Sequence, residues 1–350
     1  MITFAPTTSR TIRFGENSTN EDKTSHLDRL RSGLQMIERN TSKISLADVS
    51  SAELTTEGIL GDYRLTKEGF STLCSRLSPN TFSFLKGIDN ADMGNDNKTH
   101  LQTKLFNEVW KARKHELDGM NMLVDTSSNK IEAIHSASYG HIPNTDALEM
   151  TLSNITSTDN LAWYKLHGRT LDVGISDDTK TILVPTARKP EGETITVARC
   201  IKNSEDGRSR FSIMLGLYTF ICENGMRLGQ EFNIVNAIHR SNILENVKFQ
   251  LRNANDMDMS RVMNNIQLSS TTHLTDELRA RSYSYLKDLL GSSKAKEFTS
   301  DEVAFTEGKV PTIYEVHSAI TEHAHKNISD VTKQAEYENI GFKYLTKMVA

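Results

Sequence analysis

The chain has 350 residues, enough for one large or two ordinary domains with a sizeable core. Only 37% of the residues are hydrophobic and the formal net charge is -4, which argues against a globally basic coat for nucleic acid but not against a local basic patch. No apolar run approaches the roughly 18 residues of a membrane-spanning helix, and three cysteines without CxxC spacing favour a reducing cytoplasm over a disulfide or zinc framework.

The N-terminal third is predicted to be helical after a polar start. Residues 1–24 are rich in Thr, Ser and Asn and lack the apolar core of a secretory signal, so we expect a flexible arm. Apolar spacing then predicts a short amphipathic helix, and "LTKEGFSTLCSRL" predicts a second helix capped by Thr66. A third helix, "LQTKLFNEVWKARKHEL", carries Trp110 on its apolar side and Lys111 and Arg113 on its basic side.

The middle of the chain changes to β-strand patterns. "MNMLVD" and "KIEAIHSA" flank "TSSN" as a hairpin, and a helix restarts near Asn144 or Thr145. The segments "LAWYKLHGRTLDVGI", "TILVPT", "TITVARCIKN" and "RFSIMLGLYTFIC" then read as a meander of strands without long helices between most of them. This pattern favours a mainly antiparallel sheet.

From about residue 233, apolar residues recur at three- and four-residue spacing to the end of the chain. The predicted fold class is therefore α+β, with N-terminal helices, a central mainly antiparallel β-sheet and a C-terminal helical region. We predict a flexible arm over 1–24, an α+β core domain over 25–232 and a helical region over 233–350 packed on that core.

Four segments in this order resemble one known family. The first is a helix-and-proline block, and the second is a strand, Ser-x-x-Tyr and a helix opened by an acidic residue. The third is a strand ending in Cys-x-Asn-Gly, and the fourth is a C-terminal helix in which Ser318 replaces the usual Asn. The segments are "YRLTKEGFSTLCSRLSPNTFSFLKG", "IEAIHSASYGHIPNTDALEMTL", "YTFICENGMRL" and "TIYEVHSAITEHAHK". Together they make the chain similar to the phage/plasmid-like protein family classed as a domain of unknown function, DUF932.

The resemblance implies an origin in a mobile element and expression in the cytoplasm of a bacterial host. It implies no particular reaction, because the family has no agreed one. The phage and plasmid distribution of the family favours nucleic-acid handling, or defence and counter-defence.

The segment "FICENGMRL" raises the question of a catalytic thiol at Cys222. A nucleophilic cysteine needs a nearby base and a cationic setting, whereas Glu223 beside it disfavours the thiolate. His239 and His317 can approach only through the fold. We favour Cys222 as a small buried residue at a strand end, with Asn224–Gly225 supplying a positive φ that turns the chain into the helical region.

Other chemical motifs are weak. In "EVHSAITEHAHKN", His317, His323 and His325 lie six and then two residues apart, so no pair shares a helix face and we expect solvated or capping histidines. Glu132 and Asp172 alternate with apolar residues, as on any half-exposed strand. Neither GxxxxGK[ST] nor GxGxxG occurs, so we predict no cofactor and no metal.

Basic residues near aromatic ones are the remaining signal. A surface of this kind suits single-stranded nucleic acid, because cations take the phosphates and rings stack on bases. We predict Trp110 as the stacking ring and six residues as phosphate contacts: Lys111, Arg113, Arg199, Lys202, Arg208 and Arg210. Acidic neighbours in the same loops leave an ordinary solvated surface as the alternative.

The leading hypothesis is a non-catalytic phage protein that binds single-stranded DNA or RNA, with strand annealing and recombination as one possible role. Annealing would imply a homo-oligomer, with the C-terminal helices as the interface. The alternatives are a structural or host-interaction protein, carried in the virion or acting in counter-defence, and an enzyme that uses Cys222, Glu223 or His239.

Overall fold

A computed structural model describes most of the chain. The described residues are 2–7, 9–13, 19–152, 159–185, 190–219, 224–227, 233–252, 260–304, 309–328 and 331–349. They form two β-sheets with helices packed against both, which confirms the α+β class.

The strands are β1 (Ser9–Arg13), β2 (Thr41–Ser45), β3 (Ile59–Leu60), β4 (Tyr63–Leu65), β5 (Asn121–Asp125), β6 (Lys130–His135), β7 (Asp159–His167), β8 (Thr170–Val184), β9 (Glu193–Ser204), β10 (Phe211–Thr219), β11 (Asn224–Arg227) and β12 (Asn233–Ala237). The α-helices are α1 (Asn20–Arg39), α2 (Lys67–Leu77), α3 (Thr81–Gly87), α4 (Asn95–Arg113), α5 (Asn144–Leu152), α6 (Ile243–Arg252), α7 (Ser260–Thr271), α8 (Asp276–Leu290), α9 (Ser292–Phe298), α10 (Ile313–Asn327) and α11 (Val331–Val349). Short 3-10 turns join several of them.

The N-terminal half is built on a five-stranded sheet with the order β2-β5-β6-β4-β3. The hairpin of β5 and β6 confirms the "TSSN" prediction, and Asn129 in its turn has a φ of 50°. The helix α2 begins at the predicted cap, where the Thr66 hydroxyl accepts a hydrogen bond from the Gly69 amide at 3.0 Å. Its apolar side packs with α3 and α4 on this sheet, around Phe70 and Phe106.

The second sheet has seven strands, in the order β1-β7-β8-β9-β10-β11, and β12 also pairs with β10. All of its described pairings are antiparallel, as predicted. The segment "LAWYKLHGRTLDVGI" is not one strand. It is a hairpin, because Gly168 has a φ of 55° and the chain reverses so that His167 pairs with Thr170.

Helices cover both faces of the seven-stranded sheet. One face packs on α1, α5 and α6 through a core that includes Tyr164, Ile201 and Val247. On the opposite face, Lys165 of β7 contacts Gln334 and Glu338 of α11. Near the ends of β8 and β9, Val197 is buried with Tyr314 of α10 and Leu345 of α11. The C-terminal helices α8 and α9 pack against α10 and α11.

The predicted region boundaries differ from the structure in two places. The stretch 1–24 predicted as a flexible arm contains β1, the buried residues Ile2 and Ala5, and the start of α1. The stretch 233–350 predicted as helical begins with β12, so the helices start only at Ile243. Both strands are only five residues long, and pairing with β7 or β10 decides their structure rather than local pattern.

The turn predicted at Asn224–Gly225 is also different. Both residues lie in β11, where Asn224 pairs with Thr219 and Gly225 with Tyr218, so the chain returns along β10 instead of entering the helices there. The expectation for Cys222 and Glu223 lies outside the described residues. Within the described part of the chain, none of the helices has the length and apolar character that crossing a bilayer requires.

Candidate functional site

Four aromatic side chains gather where the two sheets meet. His135 ends β6, Tyr139 and His141 lie in the loop before α5, and His239 lies between β12 and α6. The ring centroids of His135 and Tyr139 are 3.9 Å apart and those of Tyr139 and His239 are 5.0 Å apart, both stacked, while His141 lies 6.4 Å from His135. We call these four residues the ring cluster.

Backbone contacts hold the ring cluster in place. His239 donates from Nδ1 to the Gly140 carbonyl at 3.0 Å, and the Tyr139 hydroxyl donates to the Ser204 carbonyl at 2.9 Å. Gly140 is required there, because a Cβ at this position would lie 1.6 Å from the Arg240 carbonyl oxygen. Three separated loops therefore meet at the ring cluster.

The rings of the cluster stay neutral at physiological pH. Burial lowers the pKa of His135 to about 3, and the charges of Lys43 and Arg76 act in the same direction. Burial and Lys43 also lower the pKa of His141, to about 4. Burial raises the pKa of Tyr139 above its ordinary value. None of these rings supplies a charge of its own.

A buried ion pair lies beside the ring cluster and joins the sheets. The Arg169 guanidinium is 3.4 Å from Glu205 and donates to the Thr41 hydroxyl of β2 at 2.7 Å. The backbone amide of Asn144, at the start of α5, donates to the Glu205 carboxylate at 2.6 Å. Burial raises the pKa of Glu205 to about 7, although Arg169 and the Asn144 amide lower it. One carboxyl thus connects α5, the β7–β8 turn and, through Arg169, the five-stranded sheet.

Cationic side chains surround this junction. Lys43 of β2, Arg76 of α2 and Arg240 after β12 are exposed, and the Arg208 side chain in the β9–β10 turn is 35% exposed. The charges of Lys43 and Arg76 reach His135, Arg240 follows His239 directly, and Arg208 follows the Asp206–Gly207 turn that faces Tyr139. We call Lys43, Arg76, Arg208 and Arg240 the basic rim.

Of the predicted phosphate contacts, Arg208 belongs to the basic rim, and Arg210 is exposed two residues further on. Arg199 and Lys202 do not join them on one surface. Both are half-buried on β9 and lie three residues apart, so they project from opposite faces of the sheet, with Lys202 opposite Asp172 and Ser212.

The other predicted contacts lie at the end of α4 and the turn after it. Lys111 is exposed, whereas Arg113 forms an ion pair with Glu116 at 2.7 Å. Trp110 is only 2% exposed, stacks on Phe106 and donates from Nε1 to the Ala52 carbonyl at 3.0 Å. In this conformation no nucleobase can stack on Trp110, because its apolar surface fills the N-terminal core.

The histidines of α10 were expected to be solvated or to cap the helix, and two of them are instead enclosed. His317 is buried against Gly341 of α11, and its burial lowers its pKa to about 3. His325 is 3.2 Å from a Glu338 oxygen that also lies 3.7 Å from the Lys165 ammonium of β7. Packing against the sheet and the neighbouring helix encloses His317 and His325, and the spacing of residues along one helix does not reveal such packing. We call Lys165, His325, Gln334 and Glu338 the α10–α11 network; Lys165 also donates to Gln334 at 3.0 Å.

The arrangement is better suited to binding than to catalysis. Ser204 beside the ring cluster is fully buried, and Tyr139 is covered on both ring faces by imidazoles. Across the described residues, no three His, Cys, Asp or Glu side chains are grouped closely enough to hold a metal ion. The cations of the basic rim are the most exposed groups at this junction.

The ring cluster was not predicted from the sequence, although three of its four rings lie close together in the chain. "IHSASYGH" is part of the segment that carries the family resemblance, and it supplies three of the four rings. The fourth, His239, lies about a hundred residues later, and only the fold brings it to Gly140.

Comparison with known proteins gives one match. A family model described as a domain of unknown function (DUF932) matches residues 133–340, more than half of the chain. The matched segment includes the whole ring cluster, with Arg208 and Arg240, but neither Lys43 nor Arg76. No curated protein and no solved structure matches the chain significantly.

Proposed function

The chain belongs to the DUF932 family, and we propose that it binds single-stranded nucleic acid without catalysing a reaction on it. The observation that carries the proposal is the basic rim, in which four cations from separate segments of the chain surround one junction of loops. Cations spaced around a junction of loops suit the successive phosphates of a flexible strand. The phage or plasmid setting, the bacterial cytoplasm and a homo-oligomeric state remain part of this proposal.

The proposal shifts the contact surface away from most of the residues expected from sequence. It keeps Arg208 and Arg210, adds Lys43, Arg76 and Arg240, and leaves out the buried Trp110. Because the His135, Tyr139 and His239 rings stack on one another, phosphate contacts rather than base stacking supply most of the affinity. Binding is therefore expected to depend strongly on salt and weakly on base sequence.

Fluorescence anisotropy with a labelled short single strand, at low and at moderate salt, tests the proposal. Replacing Arg76 by Gln should weaken binding about fivefold to tenfold, the effect of one lost charge-assisted contact. It should also reduce the slope of log affinity against log salt by about 0.7. Lys287→Gln, an exposed cation on α8, is the matched control and should change neither value.

Two results would contradict the proposal. One is the absence of binding by the wild-type protein at low salt, which would favour the structural or host-interaction alternative. The other is an equal loss in the Arg76 and Lys287 variants, which would show only a response to net charge. The absorbance ratio at 260 and 280 nm of protein purified without nuclease gives an independent check, because bound nucleic acid raises it.

A further inference from the structure

A carboxylate already occupies the donors at one edge of the basic rim. Glu68, in the first turn of α2, accepts a hydrogen bond from the Thr7 hydroxyl at 2.5 Å. The same carboxylate lies 3.7 Å from His167 Nε2 and 3.8 Å from the Arg208 guanidinium. Three segments far apart in the chain thus present donors to one anionic group.

Glu68 is fully ionised at neutral pH. Burial acts to raise its pKa, but His167, Thr7, its own backbone amide and the charge of Arg208 together lower that pKa to about 2. The carboxylate side chain is 10% exposed, whereas His167 and Arg208 are 30% and 35% exposed. Solvent therefore reaches the donors more easily than the acceptor.

Arg208 has a second carboxylate partner with a different role. Asp206 lies two residues away in the same turn and contacts Arg208 at 2.7 Å. It also accepts a short hydrogen bond from Ser204 and one from the Arg208 amide, so it maintains the shape of the β9–β10 turn. Glu68 comes from another element and has no part in that turn.

A phosphodiester oxygen is an anionic acceptor of the same kind as a carboxylate oxygen, and it seeks the same donors. We propose that Glu68 competes within the protein with a phosphate of the bound strand for Arg208 and His167, and thereby limits the affinity of the basic rim. This inference rests on the proposed function. Arg208, His167 and Thr7 would form one phosphate subsite, which the Glu68 carboxylate occupies in the free protein.

The test is the affinity of Glu68→Gln for the same labelled single strand. The amide keeps the size of the side chain and can still accept from Thr7, but it removes the competing charge. We expect binding about threefold to tenfold tighter than wild type, the range for one partly exposed ion pair. Circular dichroism and a melting curve show whether the variant is folded.

Glu149→Gln is the matched control, because it removes the same charge from an exposed pair with Arg31 at 2.7 Å on α1. Its affinity should stay within about twofold of wild type. Should Glu68→Gln fail to fold, Glu68→Asp carries the test, because the shorter side chain withdraws the charge from Arg208 and should tighten binding by a smaller factor.

The outcomes separate this inference from the proposed function. If wild type binds and the folded Glu68 variant binds no more tightly than the Glu149 variant, the competition does not exist although the protein binds nucleic acid. If wild type does not bind at low salt but Glu68→Gln does, the subsite is real and Glu68 blocks it completely. If neither binds, both proposals are wrong.

Discussion

The ring cluster and the α10–α11 network are built from the same residue types but in different surroundings. The ring cluster together with the adjacent Arg169–Glu205 pair contains histidine, a carboxylate and a cation, as the α10–α11 network does, and each joins the seven-stranded sheet to another layer. In the α10–α11 network the side chains of Lys165 and Glu338 are both 4% exposed, whereas the basic rim beside the ring cluster is open. The Arg169–Glu205 pair is itself only 5% exposed, so the exposed cations of the basic rim, rather than the buried titratable groups, distinguish the first region from the second.

The largest change in the free energy of unfolding is expected in the buried α10–α11 network. Replacing Glu338 by Ala removes the oxygen that both Lys165 and His325 approach, and breaking a buried charge pair from one side costs about 3–5 kcal/mol. Urea unfolding at neutral pH measures this loss. Glu338→Gln retains an acceptor and should lose less. A loss below about 1 kcal/mol for the alanine variant would mean that water reaches this network.

Acid should destabilise the protein through two buried neutral histidines, His135 of the ring cluster and His317 of α10. The folded-state pKa of His135 and of His317 is about 3, while the unfolded chain takes up a proton near 6.5. Below pH 6.5 the unfolded state therefore binds more protons, and stability falls as the pH falls. At pH 5 each histidine should cost about 2 kcal/mol, and replacing either by Phe should remove its share of that loss.

The response to salt should distinguish His135 from His317, and Glu205 changes stability with pH in the opposite direction to both. Lys43 and Arg76 contribute to the shift at His135, so added salt should reduce its share, whereas the shift at His317 comes from burial alone. Glu205 acts in the opposite sense, because its raised pKa of about 7 adds stability as the pH falls from 7 toward 4.5. Equal salt sensitivity in the His135→Phe and His317→Phe proteins would contradict this distinction.

The smallest expected effects concern two tyrosine hydroxyls, one in the ring cluster and one between α8 and α11. Tyr139 donates to the Ser204 carbonyl at 2.9 Å, and the fully buried Tyr344 shares a hydrogen bond with Ser282 at 3.1 Å. Tyr→Phe at either position should cost about 1 kcal/mol in thermal unfolding, with the larger loss at Tyr344. A larger loss at Tyr139 would show that the junction of the sheets is held more tightly than the contact between α8 and α11.

Local pattern was sufficient where neighbouring residues decide the structure. The Thr66 cap, the periodic apolar residues of α2 and the "TSSN" turn predicted their elements correctly, because capping and turn geometry are set within a few residues. Local pattern was insufficient for β1 and β12, because strands of only five residues form when β7 and β10 supply pairing partners.

The candidate site shows the same division. Basic residues near aromatic ones indicated a local positive surface, but they could not indicate that Arg199 and Lys202 project from opposite faces of the sheet. Nor could they indicate that Trp110 is buried in the N-terminal core. The ring cluster depends on contacts between His239 and Gly140 across 99 residues, which no local pattern encodes.

The boundary of the family match has a consequence for how this protein folds. The match begins at residue 133, inside β6, whose pairing partners β4 and β5 both precede it. A strand that is central in its sheet exchanges backbone hydrogen bonds on both sides, so it cannot open alone. The family match therefore begins inside a sheet whose strands are expected to fold together. The segment that the family shares is completed by β4 and β5, strands that the family match does not include.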